Sequence, residues 1–111
     1  MGLFSWLFPT PEVHIARARA HLASRRPEFA RLEVMELEGE EARAILVEAE
    51  NQLALRNLEA AIQYARLRED EKASECLGLA ETFHHGGLEE QFQAARRELR
   101  EVRSERTASD E

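Results

Sequence analysis

The sequence predicts an all-α protein built as three stacked helix-turn-helix hairpins, a short right-handed solenoid. Three observations predict it. Ala, Leu, Glu and Arg, all strong helix formers, dominate the 111 residues. Apolar residues recur at i, i+3, i+4 and i+7, the period of a helix with one buried face. The third is a recurrence. Residues 57–66 read NLEAAIQYAR and residues 87–96 read GLEEQFQAAR, about 30 residues apart. β-branched residues are scarce, which argues against a sheet.

The elements follow in order. Thr10 is a plausible N-cap for a first helix opening at Pro11, with His14, Ile15, Ala18 and Leu22 as its stripe. A turn at Arg25-Arg26 precedes a second helix from Pro27, carrying Ala30 and Val34. A joint at Glu38-Gly39 leads to a third stripe, Ala42, Ile45, Leu46, Ala49 and Leu53. Arg56-Asn57 reads as a tight turn, because Asn tolerates a left-handed conformation. Leu58, Ala61, Ile62 and Ala65 then mark a fourth helix. After a joint at Asp70-Glu71, the fifth carries Ala73, Cys76, Leu77, Ala80 and His84. Gly86-Gly87 turns the chain into a sixth, with Leu88, Phe92, Ala95, Leu99 and Val102. The expected organisation is an apolar segment at 1–10, a domain of six helices at 11–104 and a frayed polar tail at 105–111. A single hairpin cannot bury its stripe alone; stacked on a neighbour it can.

The run Asn57-Leu58-Glu59-Ala60-Ala61, the small Ala49 in the helix before it, and the threefold hairpin pattern resemble the tetratricopeptide repeat. In the third unit Leu77-Gly78 and Gly87-Leu88-Glu89-Glu90 carry the likeness; in the first, Ala18 and Ala30 do. The resemblance covers about residues 11–104. It implies a concave groove, lined mainly by the first helix of each hairpin, that receives a peptide or a partner helix. The residues it places there are Arg19, Arg43, Glu50 and Asn51, with Phe83 near the far end. Arg on such a floor suits a carboxylate through paired hydrogen bonds.

Charge and chemistry narrow the function. A net charge of −7 argues against nucleic acid, whose phosphates want a basic face. Acidic and basic residues interleave, as on solvated helix faces. Cys76 is the only cysteine, so no intrachain disulfide forms, and a reducing compartment fits. Its place in an apolar stripe marks it as a small buried hydrophobe. No phosphate loop, metal-hydrolase motif or nucleophile elbow occurs, and no enzyme, cofactor or metal site is expected. His14 and His21 lack a spaced third ligand. His84 and His85 read as residues closing a helix end.

The segment Leu3, Phe4, Ser5, Trp6, Leu7, Phe8 stands outside the repeats and has one polar residue. It is too short to cross a bilayer, which takes about 20 residues. It lacks the basic region of a secretion signal, and Trp6 stands where a myristoylation signal has Ser or Thr. Large apolar side chains in such a run want a cover. Three covers compete: the first hairpin of the same chain, another chain, or a membrane surface. The expectation is a cytoplasmic, non-catalytic adaptor or scaffold that binds another protein or peptide. Its contacts are the concave face, the segment Leu3, Phe4, Trp6, Leu7 and Phe8, or both. Self-association into a homodimer and membrane-peripheral anchoring through that segment are the alternatives.

Overall fold

The computed structural model describes residues 10–110. Five helices lie among them: α1 (Pro11–Ala23), α2 (Pro27–Val34), α3 (Glu40–Arg66), α4 (Asp70–Phe83) and α5 (Glu89–Asp110). No strand occurs among the described residues. The all-α class stands. The expected six helices are five, because the third and fourth are one.

That fusion corrects the turn expected at Arg56-Asn57. Helix α3 runs for 27 residues straight through it. Asn57 is satisfied inside the helix, its Nδ2 donating to the Leu53 carbonyl at 2.9 Å, one turn back. No Gly or Pro interrupts the sequence between residues 40 and 66, so nothing forces a break. The duplicated stretches are therefore not equivalent. The first lies within α3, whereas the second opens α5 after two glycines with positive φ, Gly86 at 96° and Gly87 at 82°. Helix α5 also extends to Asp110, taking in most of the stretch read as a frayed tail.

The other breaks fall near their expected places, and two share one design. At the end of α1 the Arg25 N–H donates to the Leu22 carbonyl and the Arg26 N–H to the His21 carbonyl. At the end of α3 the Arg68 N–H donates to Ala65 and the Glu69 N–H to Tyr64. Both are Schellman caps, which satisfy carbonyls a helix end leaves open. The left-handed residue in each is an arginine where Gly is usual: Arg25 at φ 58° and Arg68 at φ 62°. Thr10 caps α1, its Oγ1 accepting from the Val13 N–H at 3.3 Å. Gly39, at φ 105°, precedes α3 and its carbonyl accepts from the Arg43 N–H.

The chain divides into two compact units, Met1–Gln52 and Leu53–Glu111. In the first, α1 and α2 pack antiparallel: His14 near the start of α1 meets Glu33 near the end of α2. Its core is Ala18, Ala30, Val34, Ala42, Ile45 and Ala49, edged by Ile15, Leu22, Leu37 and Leu46. The four alanines are essentially fully buried, so their helices approach closely, and added volume would meet side chains at native density. In the second unit, the later part of α3, α4 and α5 surround Ala54, Leu58, Ile62, Ala65, Ala73, Ala80, Leu88, Phe92, Ala95, Leu99 and Val102. Here the stripe read through Leu53 needs a small correction. Ala54 is the buried residue, and Leu53 is half-buried.

Candidate functional site

In the second unit the later part of α3 and α5 lie side by side, and α4 links them along the chain. Arg66 at the end of α3 pairs with Glu98, so the two helices meet there, and Arg68 in the turn beyond pairs with Asp110 at the end of α5. Between them lies an open groove of about 380 Å³. Helix α3 supplies Leu55, Leu58, Glu59 and Ile62; α5 supplies Gln91, Ala94, Ala95 and Glu98. The groove exists because α5 presents methyl groups where larger side chains would fill it. Leu58, Ile62 and Ala95 are anchored in the core beneath, so the floor is rigid. Carboxylates of Glu59 and Glu98 line the rim, and the Arg66 Nη2 donation to Glu98 Oε1 at 2.5 Å bridges the two helices at one end. A neighbouring hollow of about 490 Å³ continues past Arg56, Ala60 and Gln63.

The same unit carries two crossed arginine–carboxylate pairs beyond the groove. Arg106 grips Asp70 at 2.7 and 3.2 Å, and its Nη1 also reaches the Ala65 carbonyl at 3.4 Å. Hydrogen bonding from these arginines holds the Asp70 and Asp110 carboxyls below the usual range and raises Arg106 and Arg68 in return. Both terminal nitrogens of each guanidinium are engaged, while the buried Arg106 Nε has no hydrogen-bond partner among the described residues, and the paired geometry suits a clasp between elements. At the start of α5, Glu89 takes the N–H groups of its own residue and of Gly87, which lowers its carboxyl. His84 is the C-cap residue of α4, its N–H donating to the Ala80 carbonyl; its ring lies 4.7 Å from that of Phe92.

The residues singled out from the sequence are scattered over other settings. Leu3, Phe4, Trp6, Leu7 and Phe8 lie outside the described residues. Arg19 is exposed and donates to Glu41 at 2.8 Å. Glu50 is half-buried and accepts from Arg31 Nε at 3.0 Å. Arg43 is exposed and Asn51 half-buried. These four belong to the first unit; Phe83 belongs to the second, packed against its core. His14, read as a stripe residue, is half-exposed and bonded to Glu33 Oε2 at 2.5 Å.

No family model matches the chain. No curated protein and no solved structure matches it either.

The functional reading therefore rests on surfaces. Besides the groove there is a second one, on the first unit. Phe29, Leu32 and Met35, three apart on or at the end of α2, are 47%, 64% and 43% exposed. The repeat offset marks only Ala30 and Val34, which lie on the opposite face of α2. The spacing was visible; the direction in which it pointed was not. The groove residues Leu55 and Ala94 were passed over for a related reason, since a gap between helices depends on how closely two elements pack. Among the described residues no helix is long and apolar enough to cross a membrane.

Proposed function

We propose that the chain is a non-catalytic docking module, an adaptor that holds an amphipathic helix of a partner protein in the groove between α3 and α5. One observation carries the reading: a rigid apolar floor of Leu55, Leu58 and Ile62 beside Ala94 and Ala95, open to solvent and rimmed by Glu59 and Glu98. A helix seats its ridge of side chains in such a groove, with anchors spaced at i, i+3, i+4 and i+7. The carboxylate rim favours a partner with Lys or Arg beside its apolar stripe, a preference that acts on specificity and encounter rate. The acidic net charge of −7 points the same way. The likeness to tetratricopeptide repeats supports the mode of use, a preformed helical surface that receives a peptide. Of its hairpins the reading retains α1–α2, with α3 continuous where a second was expected. The reading places the adaptor in a reducing aqueous compartment, where Cys76 stays a free thiol.

A synthetic helix with leucines on one face and lysines at its edge tests this against the same helix edged with glutamates. The lysine form should shift amide resonances of residues 55–62 and 91–98, and the glutamate form should not. Ala94→Trp, at an exposed position, should block the groove and abolish the shifts while leaving helicity intact. Shifts that persist in that variant, or equal binding of both peptides, would overturn the assignment.

A further inference from the structure

The apolar face of α2 calls for its own cover. Phe29, Leu32 and Met35 form a strip about 9 Å long, six residues at the helical rise. It belongs to the first unit, whereas the residues that line the groove belong to the second. His21 covers part of Phe29, the two rings lying 5.4 Å apart. Leu32 is the most exposed of the three, at 64%. An apolar strip of this kind marks a contact surface.

The end of the chain outside the described residues starts beside it. Thr10 immediately precedes α1, and one turn later His14 touches Glu33, the neighbour of Leu32. Pro11 disfavours the helical conformation in the residue before it, and Thr10 is extended at φ −74° and ψ 162°. Thr10 is therefore not a further residue of α1. Residues 3–8 span up to about 20 Å when extended, roughly twice the strip they would need to cross. Their five large apolar side chains, Leu3, Phe4, Trp6, Leu7 and Phe8, supply what the strip lacks.

We infer that residues 3–8 of the same chain lie across Phe29, Leu32 and Met35 and close the apolar face of the first unit. A tethered segment reaches its site at a high effective concentration, which favours it over a second copy of the chain. A membrane surface is a poorer occupant: no Lys or Arg lies between residues 1 and 16 to meet anionic headgroups. The inference stands apart from the groove on the second unit, and neither depends on the other.

Trp6 is the only tryptophan, so its fluorescence reports the segment alone. In the intact chain its emission should be blue-shifted and shielded from acrylamide, and dilution should change neither. Leu32→Asp should move the emission toward that of free tryptophan and raise quenching severalfold. The milder pair Leu32→Gln and Met35→Gln should do the same in part, and far-UV circular dichroism confirms that both variants fold. Three results would overturn the inference. Shielding lost on dilution would assign the strip to a second copy. Shielding unmoved by both variants would place the segment elsewhere. A tryptophan exposed in buffer and shielded only by phosphatidylcholine vesicles, with or without phosphatidylserine, would assign it to lipid.

Discussion

Arg68 meets Asp110 through both ends of its guanidinium, at 3.1 and 2.8 Å, and so ties the turn after α3 to the last residue of α5. Arg106 and Asp70 make the converse connection from α5 to the first residue of α4. The two pairs fasten one end of the second unit. Both carboxyls lie below their ordinary value, chiefly because each accepts hydrogen bonds from its arginine. A carboxyl depressed in the folded state contributes stability that is complete above its unfolded pKa. That contribution is lost as pH falls through the folded value. The window therefore opens near pH ~4, the ordinary aspartate value, and extends downward. Asp70→Asn combined with Asp110→Asn should lower the urea midpoint modestly at pH 7. Parent and variant should converge as the pH falls through that window. The pairs are exposed, so added salt should shrink the difference. Parallel curves at every pH would show that the clasp contributes nothing.

The two arginines at left-handed positions give a sharper test of the caps. An L-residue there costs about 1–2 kcal/mol, against about 0.5–1 kcal/mol of extra unfolded-state entropy for Gly. Arg25→Gly should therefore stabilise the chain by about 0.5 kcal/mol, read as a higher urea midpoint. Arg68→Gly gains the same relief but loses Asp110, so its net effect should be smaller. Arg25→Ala keeps the strain and should fall below Arg25→Gly. The reverse order would mean that residue 25 does not hold its positive φ of 58° in solution.

The alanine-built core of the first unit should resist enlargement more than the second unit resists a probe on its surface. Ala30 has no exposed surface, and Ala30→Leu should cost about 1–3 kcal/mol by overpacking. Leu58, 3% exposed in the second core, should cost about 2–5 kcal/mol as Leu58→Ala, from lost burial and the cavity left behind. Leu79, 47% exposed, should change stability little as Leu79→Ala. Chemical denaturation of the three variants checks the order. An Ala30→Leu variant as stable as the parent would mean that α1, α2 and α3 are not closely packed.

Which parts were legible follows from what a periodic pattern encodes. Ala18, Ala42, Ile45, Ala49, Leu58, Ile62, Phe92, Leu99 and Val102 were readable as core because each repeats at the helical period, and all are buried. The break at Gly86-Gly87 was readable because glycine alone occupies such dihedrals freely. The clasp was not readable: Arg68 and Asp110 are 42 apart, and exposed charges on helices look alike until the fold pairs them. The joint after α3 falls a few residues before the expected Asp70-Glu71, since its left-handed residue is Arg68 and no Gly marks it. The groove depends on the spacing of two helices, which no single stripe specifies.

Asn57 is where the sequence and the fold part, and it can be tested directly. Asparagine suits a left-handed turn, yet it also sits in a helix when its amide finds a carbonyl one turn back, as it does at Leu53. The two settings respond oppositely to substitution. In a turn with positive φ, Asn57→Gly would be tolerated and Asn57→Ala would be strained. Within α3 the order reverses. Asn57→Ala should lie within about 0.5 kcal/mol of the parent, because higher helix propensity offsets the lost side-chain bond. Asn57→Gly should fall about 1 kcal/mol below Asn57→Ala, and Asn57→Pro should lose about 3 kcal/mol or more by removing a backbone donor in mid-helix. Urea midpoints and far-UV helicity of the three variants decide between the settings. A glycine variant more stable than the alanine variant would restore the turn, and with it the second hairpin that α3 replaces.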